Sequence, residues 1–157
     1  VSLRIRPTIG SPLEKTDDQR RAAAMTGETD LTTLLRSMRP ILQPDSFVFV
    51  TIPLADELPG GVQPLMVFRE DEGWTCILSE DAARGAGLAG TFPCRMITLS
   101  IHSSLGAVGF LAAILPRLAA AGMGVNPVSA FHHDHLFVPA DRADDAMRIL
   151  EELAATG

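Results

Sequence analysis

The chain has 157 residues, 46% of them hydrophobic, and a formal charge of −6; that is enough apolar side chain for one good core, or for two small cores sharing an interface. Lys15 is its only lysine, so no basic stripe is available to neutralise phosphates or lipid headgroups, and neither nucleic acid nor a membrane is an expected partner. No apolar run reaches bilayer length and the N-terminus shows no apolar h-region, so a cytoplasmic location is expected.

Residues 1–25 mix charge, Pro and Gly without an apolar period, as expected of a tail or an extension, and Met25 opens the first coherent pattern. Asp30 stands as a cap before LTTLLRSM, where Leu31, Leu34, Leu35 and Met38 recur at helical spacing until Pro40 ends the pattern. FVFVTIP (Phe47 to Pro53), PLMVF (Pro64 to Phe68) and WTCIL (Trp74 to Leu78) read as strands. The last two are joined across REDEGW, with Gly73 suited to a left-handed turn position. Glu70, Asp71 and Glu72 are acid or metal-ligand candidates by type, but adjacent carboxylates at a hairpin tip read first as solvated. Cys76 and Cys94 are too far apart for a paired-ligand motif and sit in apolar runs, which predicts buried free thiols. A short helix around SEDAARGAG closes this half.

In the second half CRMITLSIH alternates, with Arg95, Ile97, Leu99 and Ile101 on one side and Met96, Thr98, Ser100 and His102 on the other, the pattern of a half-buried strand. Next, Leu105, Val108, Ala112, Leu115 and Leu118 or Ala119 trace an apolar helical stripe, with Ser103 or Ser104 as N-cap and Gly122 as stop. Pro116 removes the hydrogen bond to the Ala112 carbonyl and crowds it, so a kink or early break is expected there. VNPVSAFH and HLFVPA read as two strands about a turn centred on His133 and Asp134, and RADDAMRILEELAA as the last helix, capped by Asp141. The order β-α-β-β-α is most of a split ferredoxin-like unit whose second strand is an edge, where Pro127 is tolerated.

Together MTGETDLTTLLRSMRP, FREDEGWTCILSEDAARGAGL, ITLSIHSSLGAVGF and FHHDHLFVPADRADDAM resemble small bacterial proteins built from two ACT-like domains, over about Met25 to the C-terminus. The resemblance implies an α+β fold of two ferredoxin-like ACT units with antiparallel sheets and helices on one face, at 26–90 and 91–157. Such domains commonly bind amino acids or related small molecules at domain interfaces, usually to regulate an enzyme. A non-catalytic sensor or regulatory protein without a cofactor is therefore expected. Nothing strand-like follows ILEELAATG, and LADELPGGVQ stands where a first crossover helix belongs; the two incomplete halves should therefore complete one another, by exchanging a strand. Open sheet edges would also suit a homodimer. The implied ligand position is the loop from the first strand into the first helix, His102, Ser103, Ser104, Leu105 and Gly106, facing the start of the second strand of a neighbouring unit, Gly124, Val125 and Asn126. Free N–H groups at a helix start suit a carboxylate, and serine hydroxyls and Asn126 add polar partners.

His132, His133, Asp134 and His135 stand in consecutive positions. His133 and His135 have the spacing that places two ligands on one strand face, and zinc would need a third from His102, Asp134 or another chain. Ser103 or Ser104 with His133 and Asp134 supplies the residue types of nucleophilic catalysis, without a nucleophile elbow or an oxyanion-hole signature. The plainer reading has Asp134 and its neighbours satisfying a hairpin turn through side-chain to backbone bonds. Between the two, the imidazoles would line a small-molecule pocket and make binding sensitive to pH. Two alternatives stand beside the sensor: a metal-binding protein or metal-dependent enzyme centred on His132 to His135, and a protein-interaction module that uses its sheet edge.

Overall fold

Asp30 accepts the Thr33 N–H at 2.8 Å and caps α1 (Leu31–Ser37) as its position predicted; α1 is the first helix in a computed structural model describing residues 27–56 and 59–156. The extension expected at 1–25 lies outside the described residues. The strands are β1 (Pro40–Ile52), β2 (Met66–Arg69), β3 (Trp74–Ser79), β4 (Thr91–Leu99), β5 (Asn126–Ser129) and β6 (Asp134–Pro139). Helices α2 (Glu80–Gly85), α3 (Phe110–Ala120) and α4 (Ala143–Thr156) complete the fold, the last entered through a single 3-10 turn at Ala140–Arg142. The six strands form one antiparallel sheet in the order β2-β3-β1-β4-β6-β5.

That order explains how two incomplete halves close. β1 pairs with β4 from Pro40 onward but with β3 only from Phe47. Its first part thus stands where the C-terminal unit needs a fourth strand, and the first part of β4 does the same for the N-terminal unit, so the expectation of mutual completion holds. β1 begins at Pro40 rather than at Phe47 because its early residues have one strand neighbour, and a register shift between Leu42 and Ser46 accommodates the Pro44 that cannot donate. Arg95 spans this irregularity, its Nη2 donating to the Gln43 carbonyl at 2.7 Å.

Alternation assigns the two faces. Ile97, Leu99, Leu136 and Val138 pack beneath α1, α3 and α4, while Val48, Val50, Ile52, Cys76 and Leu78 pack with Ala83 of α2. The opposite face carries Phe47, Ile77, Cys94 and Phe137, with Phe47 and Phe137 in edge contact at 5.9 Å. Both cysteines are buried free thiols, and burial pushes Cys94 up to about 11.

Several local expectations are corrected. α3 starts at Phe110 behind Gly109 (φ 93), so neither Ser103 nor Ser104 caps it. Its buried stripe is Phe110, Ile114 and Leu118, whereas Leu105 and Val108 are 60% and 83% exposed. The helix also runs through Pro116 without a break; Ile114 and Leu118, fully buried on either side, anchor both flanks. Gly73 does not adopt positive φ; it is needed because a Cβ there would meet the Ile52 carbonyl oxygen at 2.6 Å. Asp141 lies inside the 3-10 turn that leads into α4 rather than at the cap position of that helix. Gly122 (φ 69) ends α3, and Pro127 sits on the edge strand β5, both as expected.

Candidate functional site

β4 delivers the chain to a loop, Ile101 to Gly109, which turns back into α3. Its two serines are held inward, Ser103 8% and Ser104 6% exposed. A strap from the N-terminal unit fixes the loop from outside: the Glu28 N–H donates to the His102 carbonyl at 2.9 Å, and the Ser104 N–H donates to the Glu28 carbonyl at 3.0 Å. Gly27 makes the approach possible, since a Cβ on it would fall 2.3 Å from the Ser104 nitrogen. The Glu28 carboxylate folds onto the strap, accepting the Thr29 and Asp30 N–H groups at 2.7 and 2.8 Å.

The hairpin between β5 and β6 faces this loop. Its turn is Ala130 to His133, closed by the Ala130 N–H to the His133 carbonyl at 3.0 Å. Asp134 is the first residue of β6, not part of the turn, because its carboxylate has better partners than the backbone. It accepts Ser129 Oγ at 2.5 Å and Ser103 Oγ at 3.1 Å, and is 8% exposed. No ion pair among the described residues involves it. Ser103, Ser104 and Leu105, the first turn of α3, Ser129, Ala130 and Asp134 line a cleft of about 180 Å³. The first N–H groups of α3 have no intrahelical partner, and Gly109 offers no side chain to cap them.

Of the residues singled out in sequence, Ser103, Ser104, Leu105 and Asp134 meet in this cleft. Gly106 stays beside it through its N–H on Ser104 Oγ at 3.2 Å. His102 is exposed, its ring edge-on to His132 at 5.5 Å. Gly124, Val125 and Asn126 are elsewhere: Asn126 pairs with Phe137, at the opposite end of β5 from Ser129. Sequence reasoning missed Ser129, Ala130 and the Gly27–Glu28 strap.

The histidines separate. The His133 ring faces the Ile101 carbonyl through Nδ1 at 3.1 Å, which makes Nδ1 the protonated nitrogen. His135 points its Nδ1 at Thr98 Oγ1, 3.1 Å away, and Gln43 Nε2 donates to that same hydroxyl. The Thr98 hydroxyl accepts from Gln43 and shares a second hydrogen bond with His135 Nδ1, whose direction follows the imidazole tautomer. Burial first, then the neighbouring His133, hold the His135 pKa below its ordinary value, against the pull of Asp134. Among the described residues no group of three His, Cys, Asp or Glu side chains is arranged to hold a metal ion, and no serine is hydrogen-bonded to a histidine. The same holds at the Glu70 hairpin, where Glu70 accepts from Thr75 Oγ1. No described helix is long and apolar enough to cross a membrane.

No curated protein matches the chain. The sequence matches the ACT domain over residues 26–95, and a second ACT domain over residues 91–152. A solved structure from Vibrio cholerae, described as a protein of unknown function and possible transport protein, is 39% identical with a TM-score of 0.70, covering 79% of this chain and 95% of that one. A protein from Agobacterium tumefaciens is 16% identical (TM-score 0.64; 74% and 89% covered). The ligand-free regulatory subunit of aspartate kinase from Thermus thermophilus is 14% identical (TM-score 0.57; 83% and 97% covered) and shares the fold. Two matched domains, joined by shared central strands and with a relative of this identity over nearly its full length, place the chain in the ACT-domain family as a tandem of two ACT units.

Proposed function

We propose that this tandem ACT protein is a non-catalytic sensor or regulatory module that binds a small molecule, an amino acid, in the cleft beside the Ser103–Ser104 loop. The observation that carries this reading is the cleft itself. It lies at the junction of β4, its loop and α3, is lined by hydroxyls, one carboxylate and the first turn of α3, whose leading N–H groups have no intrahelical partner, and is flanked by a strap from the other unit. Among the described residues Ser103 and Ser129 turn their protons to the Asp134 carboxylate and no serine of the cleft is hydrogen-bonded to an imidazole, which favours binding over a Ser-His-Asp type of chemistry. A regulatory subunit of aspartate kinase among the structures of like fold agrees with this role.

A screen of the twenty common L-amino acids by thermal shift tests it. A ligand held at 100 times its dissociation constant stabilises the fold by about 2.7 kcal/mol. We expect at least one saturable rise in melting temperature and the same compound recovered unchanged after incubation. No saturable shift, or a chemically altered ligand, would sink the reading. We propose further that the working form is a cytoplasmic homodimer paired along the edge strand β5 or β2, with Gly124–Asn126 of one copy facing the loop of the other; sedimentation of the full chain as a dimer is expected, and a monomer would overturn this.

A further inference from the structure

Asp134 is buried and, among the described residues, is paired with no cation; the two serines on its carboxylate decide what it can still bind. Ser103 and Ser129 each have one hydroxyl proton, and each directs it at the carboxylate. What remains around Asp134 is lone pairs: those left on the carboxylate and those of both serine oxygens. A carbonyl, a carboxylate or a phosphate finds nothing there to accept from. The other wall of the cleft is the reverse, because the first N–H groups of α3 can only donate. One cavity therefore has an end rich in acceptors, around Asp134, and an end where helix N–H groups donate.

We infer that Asp134, with Ser103 and Ser129, is the receptor for a ligand's ammonium group, and that the cleft selects small zwitterions whose anionic group faces the start of α3. An ammonium carries three donors and no acceptor, which suits a group of four oxygens, two on the carboxylate and one on each serine, whose remaining capacity is to accept. Its charge would also complement a buried carboxylate that no cation among the described residues offsets. Size agrees with this class. A cavity of roughly 150 Å³ takes up benzene, so about 180 Å³ is room enough for a ligand of the bulk of alanine or serine. The inference rests on the reading of this cleft as the ligand site and adds which group of the ligand is recognised, and by what.

The test compares isosteric pairs on the full chain by titration calorimetry: L-alanine against L-lactate and L-serine against glycerate, each acid bearing a hydroxyl in place of the ammonium. We expect the amino acids to bind about tenfold or more tightly than their hydroxy acids. Asp134→Asn should remove most of that preference, with circular dichroism reporting the fold. If that variant does not fold, the wild-type comparison decides alone. Equal affinity for an amino acid and its hydroxy acid, or a folded Asp134→Asn that keeps the full preference, overturns the ammonium receptor while leaving the cleft as a ligand site. Binding of none of the four overturns the small-zwitterion selection; if the screen of all twenty amino acids is also silent, the ligand site falls with it.

Discussion

His135 shows how one half-buried side chain acquires a preferred charge state from its neighbours. Its Nδ1 is hydrogen-bonded to the Thr98 hydroxyl, which also accepts from Gln43, so the ring is held in place on the half-buried strand. Burial and His133 act in the same direction, lowering the pKa. The sign of the stability effect follows from which state binds the proton more readily. As pH falls below about 6.5, the unfolded chain protonates this residue while the folded one resists, so the stability it contributes is present above the ordinary histidine pKa and declines through the interval down to the lowered value. Asp30 and Asp145 have pKa values lowered from 3.8 and therefore lose their contributions at lower pH, outside this window. We expect the melting temperature of the wild-type chain to fall between pH 7 and pH 5, and His135→Gln to flatten part of that slope. An unchanged slope in the folded variant would assign the decline to other groups.

The strap is the element that ties the two ACT units together at the cleft, and its seat depends on one missing Cβ. Gly27→Ala would place a carbon 2.3 Å from the Ser104 nitrogen, backbone that has no rotamer with which to yield. We expect a loss of about 1–3 kcal/mol, in the range of overpacking substitutions, measured by chemical denaturation; an unchanged midpoint would mean that the strap is not seated as described. Elements of this kind were the least legible in the sequence. Asp30 announced α1 because a cap is a local signal, and Pro127 agreed with an edge because topology allows proline there. The start of β1 was hidden by Pro40 and Pro44, which are admissible only because that stretch has one strand neighbour, a fact of pairing rather than of sequence. Ser103 and Ser104 suggested a cap by type, yet the helix begins behind Gly109, which caps without a side chain. Asp134 suggested a turn for the same reason, and its partners Ser103 and Ser129 become visible only when the hairpin is folded onto the loop. The serines of the cleft could be named from the strand-to-helix junction, whereas Ser129 and the strap reach it through tertiary contacts that no local pattern encodes.

At the scale of the molecule, exchange of the central strands removes the independence that two sequence-adjacent domains would otherwise have. β4 lies between β1 and β6, and both of its faces are buried, with Ile97 and Leu99 under the helices and Cys94 among the aromatics on the far side. Residues 91–156 expressed alone would keep β4, β5, β6, α3 and α4, but would lose β1 from one edge of β4 and α1 from the helical layer. The exposed row of N–H and C=O groups would then lie beside uncovered apolar side chains, a combination that favours aggregation over folding. We expect the full chain to unfold in one cooperative transition by both fluorescence of Trp74 and far-ultraviolet circular dichroism, and residues 91–156 to show no cooperative transition. Because Trp74 sits on β3, far from the cleft in strand order, coincidence of the two probes tests the union of both units. A fragment that melts cooperatively, or two separated transitions in the full chain, would show that each ACT unit closes on its own. Ligand binding at the cleft would in that case stabilise the C-terminal unit alone, whereas with shared strands it must also slow amide exchange in β1, and that is how occupancy of the cleft would reach the other half of the molecule.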